Sequence, residues 1–191
     1  MTDLPKFTVP GLSTQDAATI ADALQGRLHA LNDLALTLKH IHWNVVGPHF
    51  IAVHEMIDPQ VDAVRLMVDA IAERIATLGA EPQGTPGALV AARSWDDYSI
   101  GRAGAIEHLG ALDVVYQGVI SDHRKAAKEV DDLDDVTHDL LVAHLAELEL
   151  FHWFVRAHLE SSGGTLSTDG ATGEKDSAQQ AGETAQLGTT E

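Results

Sequence analysis

Residues 42–58, HWNVVGPHFIAVHEMID, set His42, His54 and Asp58 into a chain otherwise rich in Ala, Leu, Val and Asp. His54 and Asp58 are four apart, and further on so are Asp69 and Glu73. Positions i and i+4 of a helix share a face, so each pair can offer two ligands to one ion. Imidazole with carboxylate suits Fe, Mn or Zn better than Ca or Cu(I). The two pairs cannot serve one ion within a single chain, because Asp58 and Asp69 stand eleven residues apart, roughly 16 Å along a straight helix. Both pairs, however, are centred on one point, between Ala63 and Val64. Two copies of this helix packed antiparallel about a two-fold axis through that point would set residue 58 level with 69 of the mate, and 54 level with 73. A symmetric dimer would then carry two composite sites, with His42 of the preceding helix joining the His54 side. Taken singly, each residue reads as well as part of a solvated face or as a satisfied core residue. The shared centre of symmetry is what argues for a metal.

A second cluster is His144, Glu147, Glu149 and His152. Glu149 and His152 form a Glu-x-x-His, which marks a di-iron bundle when two copies occur. One copy is present, so an intrachain di-iron site is poorly supported. A mixture of core and surface residues is the preferred reading, and a secondary metal site the alternative.

These residues need helices to hold them. Residues 1–12, with Pro5, Pro10 and Gly11, read as an extended arm. Ser13 reads as a helix N-cap with Asp16 near the free amides of the first turn. Apolar residues then recur at Ala17, Ile20, Leu24, Leu28, Leu31, Ala35 and Leu38, a helical stripe that His42 extends. Gly47 and Pro48 end this helix. A second helix is expected from about Phe50 to Leu78, stopped by Gly79 and bent or reset at Pro59. A short helix follows within 88–98, a third long helix over about 100–131, and a fourth from Thr137 to Ser161. No stretch alternates convincingly with period two. The fold class expected is all-α, a four-helix bundle over 13–164 with a short helix between the second and third. Residues 165–191 lack aromatics and periodicity and hold five acids against one Lys, which reads as a disordered acidic tail.

The 191 residues can bury a sizeable core. With no Cys there are no disulfides and no thiolate sites, which fits a cytoplasmic protein. No apolar run is long enough to cross a bilayer, and the N-terminus has no secretory pattern. The formal charge of −17 repels nucleic-acid phosphates and attracts cations.

KHIHWNVVGPHFIAVHEMID (39–58), followed by DAIAERIATLG (69–79), resembles the Dps family, the miniferritin "DNA-binding proteins from starved cells". The resemblance runs from about Ser13 to Gly164. It implies a ferritin-like bundle that assembles as a hollow shell of twelve subunits. It also implies a ferroxidase centre between two-fold-related subunits, with His42, His54 and Asp58 from one and Asp69 and Glu73 from the other. Fe(II) would be oxidised there, hydrogen peroxide being the favoured oxidant, and ferric mineral stored inside. The resemblance puts Trp43 near the iron, where it would intercept radicals or pack at the interface. It likens the acidic turn at Asp131, Asp132, Asp134, Asp135 and Asp139 to an iron-entry pore, with Asp135 and Asp139 the favoured pore residues and helix capping the competing role. Other readings are a nucleoid-compacting DNA binder, a metal-dependent acyl or amide hydrolase that activates water at the same site, and a metal-free structural bundle.

DNA binding in such proteins often uses tails rich in Lys and Arg. Here the arm holds only Lys6, and the C-terminal segment is acidic. Counterion release needs several clustered cations. At neutral pH and physiological salt the expected result of a gel-shift titration is weak or no binding; a clean shift under those conditions overturns this reading.

Overall fold

The first helix begins at the cap the sequence provides. Ser13 Oγ accepts the Asp16 amide at 3.0 Å and donates to the Asp16 carboxylate at 2.6 Å, closing the first turn of α1 (Thr14–Asn44). The computed structural model describes residues 4–161 and 163–187. After α1 come β1 (Val45–Val46), α2 (Phe50–Thr77), α3 (Pro86–Ala92), β2 (Ala103–Gly104), α4 (Ala105–Val130), α5 (Asp135–Leu159) and α6 (Glu174–Leu187). The protein is all-α in class, with four long helices and the short α3 between the second and third. Among the described residues no helix is long and apolar enough to cross a membrane.

The chain forms two compact units, and each long helix contributes a segment to both. The first gathers the described residues up to Ala35 with Asp62–Trp95 and Val119–Ala146. Its core is the stripe expected on α1, Ile20, Leu24, Leu28 and Leu31, with Ile71 and Ile75 of α2, all fully buried. Burying each such side chain stabilises by about 1.5–3 kcal/mol, so these stripes rather than local propensity hold the helices. Gly79 ends α2 with φ +85°; its amide bonds to Ala76 O and that of Ala80 to Ile75 O, a left-handed helix stop that favours glycine. A Cβ there would lie 2.1 Å from the Phe7 carbonyl oxygen, so the N-terminal arm passes against a bare backbone. Asp134 caps α5. Its carboxylate accepts the Thr137 amide at 2.8 Å and Arg74 Nη2 of α2 at 2.6 Å.

The second unit comprises Leu36–Val61, Asp96–Gly118 and the described residues from Glu147 onward. Leu38, Ile41, Ile57, Leu109, Leu148 and Val155 are buried in its core. Tyr116 is fully buried and donates its hydroxyl to Gln60 Oε1 at 2.6 Å.

Three expectations need correction. The helix reset at Pro59 does not occur, since α2 runs through it unbroken. The missing N–H leaves the Glu55 carbonyl without its helical donor, and Glu55 is exposed, so water can take that bond. A strand pair exists: Val45 and Val46 pair in parallel with Ala103 and Gly104, and two residues are too few to show a period. The tail is also ordered as far as residue 187. Ser161 and Thr165 close a turn, Glu160 bridges Leu166, and α6 follows. Residues 188–191 lie outside the described residues. Ser177 and Ala181 are fully buried and Ala178 nearly so; Ser177 Oγ donates to Gly110 O of α4 at 2.6 Å. The interface is built from Ala, Ser and Gly, so it carried no hydrophobic signal.

Gly110 permits this contact, because a Cβ there would meet Ser177 O at 2.6 Å and Ala181 Cβ at 2.8 Å. Gly110→Ala should favour α4 itself yet loosen α6 by an overpacking cost of about 1–3 kcal/mol. The expected outcome is faster tryptic cleavage after Lys175 with unchanged helical content. An unchanged cleavage rate counts against the docking of α6 on α4.

Candidate metal centre

The last turn of α1 leaves carbonyls without helical partners, as every helix end does. One of them, His42 O, accepts His54 Nδ1 of α2 at 3.0 Å. The exchange is reciprocal, for His42 Nδ1 donates to His54 O at 3.0 Å. The two rings stack with centroids 3.6 Å apart and planes 21° from parallel, and Phe50 lies 4.9 Å from the His54 ring. A carbonyl only accepts, so each Nδ1 carries its hydrogen, and either ring in its neutral form has its lone pair on Nε2. Such bonding of the second nitrogen is how ligating imidazoles are oriented.

Asp58 completes the group, its Oδ1 lying 3.2 Å from His42 Nδ1 and 2.8 Å from Lys39 Nζ. The Lys39 hydrogen bond holds the Asp58 carboxyl below its usual range; slight burial opposes this, and His42 and His54 reinforce it. Lys39 is a site residue the sequence reading missed. Its signal was its place one helical turn before His42, on the same face. The Lys39 ammonium also lies 5.7 Å from the Trp43 ring centroid, and Trp43 is 71% exposed. Each of the three carries a donor suited to a borderline cation, but within one chain they are not gathered round one ion-sized point.

Asp69 and Glu73, in the other compact unit, are both exposed on α2. Among the described residues of a single chain, no three His, Asp or Glu side chains gather into an ion-sized group. The five residues of the expected centre are thus not united within one subunit.

The acidic turn divides by role. Asp134 is the cap and the partner of Arg74. Burial pushes its carboxyl up, but hydrogen bonds from Thr137 and Arg74 outweigh that and hold it below normal. Asp135 and Asp139 are exposed. Asp131 lies 3.4 Å from His138.

The α5 cluster is not drawn to one point. His152 is buried and donates to Asp113 of α4 at 2.6 Å. Arg156 and Thr168 also donate to that carboxylate, at 2.8 and 3.0 Å. Burial raises the Asp113 carboxyl, but these three donors win and bring it to about 2. Glu147 is exposed and Glu149 half-buried. His144 instead faces His123 of α4 at 5.8 Å between ring centroids. His123 is fully buried, and neither of its ring nitrogens has a hydrogen-bond partner. Spacing along one helix could not reveal these partners on another.

Residues 21–162 match the ferritin-like domain family. The chain is 59% identical over 178 residues to the DNA protection during starvation protein of Mycolicibacterium smegmatis, spanning 93% of this chain and 97% of that one. It is 52% identical over 159 residues to the fine tangled pili major subunit of Haemophilus ducreyi, spanning 83% and 84%. Among solved structures, DpsA14 from Streptomyces coelicolor superposes with a TM-score of 0.86 at 66% identity, covering 87% of this chain and 99% of that one.

The His123–His144 pair gives a pH dependence. Burial lowers His123 to about 3, with His144 and Arg27 adding to the effect, and burial lowers His144 to about 4. Both values lie below the ordinary 6.5, so the unfolded chain binds protons that the folded pair refuses. Stability is whole above pH 6.5 and falls as pH drops toward about 4 and then about 3. Urea midpoints measured across this window should fall, and His123→Leu should flatten the slope; an unchanged slope removes His123 as its source.

Proposed function

Because the chain belongs to the Dps family of ferritin-like proteins, we propose that it oxidises Fe(II), preferentially with hydrogen peroxide, and stores the ferric product inside a shell of twelve copies. The observation that carries this reading is the reciprocal bonding of His42 and His54, which leaves the Nε2 lone pair of each ring unspent, with Asp58 held 3.2 Å from His42 Nδ1. Asp69 and Glu73 of a second copy, related by a two-fold axis, would complete the site. The common midpoint of the two pairs supports that pairing. It accounts as well for two exposed carboxylates on a helix whose other pair is already engaged.

In this reading Fe(II) is the substrate. His42 and His54 give it neutral ligands, and the carboxylates neutralise charge as ferric ion forms. Two Fe(II) deliver two electrons to one peroxide, which leaves as two hydroxide ions, so no hydroxyl radical is released. Trp43 stands one residue from His42 as a fallback donor to stray oxidant. Asp135 and Asp139, exposed at the start of α5, line the entry for Fe(II), and the −17 charge draws the cation in. The protein would act in the cytoplasm. DNA protection, in the name of the M. smegmatis relative, follows here from removing iron and peroxide rather than from contact with DNA.

The test is anaerobic loading with Fe(II), then peroxide, with ferric formation followed by absorbance. Loss of an outer-shell partner costs a metal site about 10–100-fold, and loss of a ligand should cost no less. Glu73→Ala is therefore expected to slow oxidation at least that much and to leave a precipitate where wild type stays clear. Equal slow rates and precipitation in both proteins would refute the ferroxidase reading.

A further inference from the structure

The chain has two tyrosines, and their hydroxyls meet different partners. Tyr116 donates to the Gln60 amide oxygen, which cannot hold a proton near neutral pH. Tyr98, in the segment between α3 and β2, has its hydroxyl 3.0 Å from His108 Nδ1 of α4. The contact to His108's own carbonyl is longer, 3.5 Å, so with the ring hydrogen on Nε2, which has no hydrogen-bond partner of its own, Nδ1 is the nearer acceptor for the phenol hydrogen. Ser99 fixes the segment by donating through its amide and its hydroxyl to the Glu174 carboxylate at 2.7 Å each. His40 of α1 sets its ring edge-on to Tyr98 with centroids 5.8 Å apart and bonds Ile100 O at 2.9 Å. His40 stands two residues before His42 and one helical turn before Trp43.

We propose that Tyr98 and His108 form a proton-coupled electron relay that quenches one-electron oxidants arising at the iron site. The proposal rests on the ferroxidase reading for the source of the oxidant. When a single Fe(II) meets peroxide, it yields Fe(III), hydroxide and a hydroxyl radical. Tyr98 gives an electron to that radical, which becomes hydroxide; the phenol O–H bond breaks, and its proton forms an N–H bond at His108 Nδ1. Later an Fe(II) returns the electron to the phenoxyl oxygen and is oxidised to Fe(III), while His108 returns the proton. The net reaction is again two Fe(II) for one peroxide.

The surroundings suit both halves of this step. His108 is fully buried. Burial pushes its ring pKa down, against the opposing influence of backbone at Asn44 and Gly101, so the ring is neutral before the step and, once protonated, gives the proton back readily. Burial, with the Glu174 charge, pushes the Tyr98 phenol up. The phenol therefore gives up its proton only together with an electron, and the buried ring keeps that proton close for return.

The experiment is freeze-quench EPR of the full chain after Fe(II) and peroxide, in wild type and in Tyr116→Phe, where Tyr98 is the sole tyrosine. A tyrosyl radical is expected in both, with the high-field signature of a phenoxyl hydrogen-bonded to a protonated donor. His108→Gln, which can accept a hydrogen bond but not hold the proton, should erase that signature. It should also slow radical formation roughly 100-fold, the lower end for loss of a positioned proton acceptor. Laser-flash oxidation of iron-free protein by a photogenerated ruthenium(III) complex should give the same radical without the iron site. If iron is oxidised but Tyr116→Phe forms no tyrosyl radical by either route, or His108→Gln leaves signature and rate unchanged, the relay is overturned. If flash oxidation yields the His108-dependent radical while iron is not oxidised, the relay stands and the ferroxidase reading falls.

Discussion

Two hydrogen bonds between His42 and His54 join the end of α1 to α2 at the candidate metal centre. Each spends an imidazole N–H on the other residue's carbonyl, and one of those carbonyls belongs to a helix end that needs a partner. A single exchange therefore closes the end of α1, joins it to α2, fixes two ring orientations and selects the tautomer that leaves a lone pair on each ring. A hydrogen bond of this kind is worth about 1 kcal/mol in stability. Its larger effect is geometric, because an imidazole preset in tautomer and direction would need no further ordering to bind a cation.

The same logic recurs where charge is buried. Asp113 gathers His152, Arg156 and Thr168, and Asp134 gathers Arg74 and the Thr137 amide. In each case several donors on separate elements converge on one carboxylate and outweigh the cost of burying it. The His123–His144 pair is the opposite arrangement: two rings 5.8 Å apart, with both nitrogens of His123 and Nδ1 of His144 buried without a hydrogen-bond partner.

The sequence was most legible where chemistry repeats with the period of a helix. The α1 stripe and the pairs at 54/58 and 69/73 obey spacings of three or four and fall on helices, and the Ser13 cap and the Gly79 stop flank those helices. Partners set by packing between helices left no such trace. Nothing in the spacing of His144 or His152 pointed to His123 or Asp113, and Lys39 was passed over because a surface-type residue hid its ion pair. Helix α6 was missed because an interface of Ser177, Ala178, Ala181 and Gly110 buries backbone and methyl groups rather than large side chains. Pro59 was over-read, since a proline whose lost bond faces solvent interrupts less than one whose lost bond is buried.

The ordered C-terminal segment also bears on how the protein can be cut and rebuilt. Thr168 supplies the hydrogen bond to Asp113 Oδ2, and Ser177 caps a carbonyl on the side of α4. A shortened version ending near residue 164 would not shed a mere appendage. It would open an acceptor on a buried carboxylate and bare the face of α4 around Gly110. A phenotype of such a deletion mixes loss of the segment with damage to the body it leaves behind, so fusions and cargo are better joined beyond Leu187 than in its place.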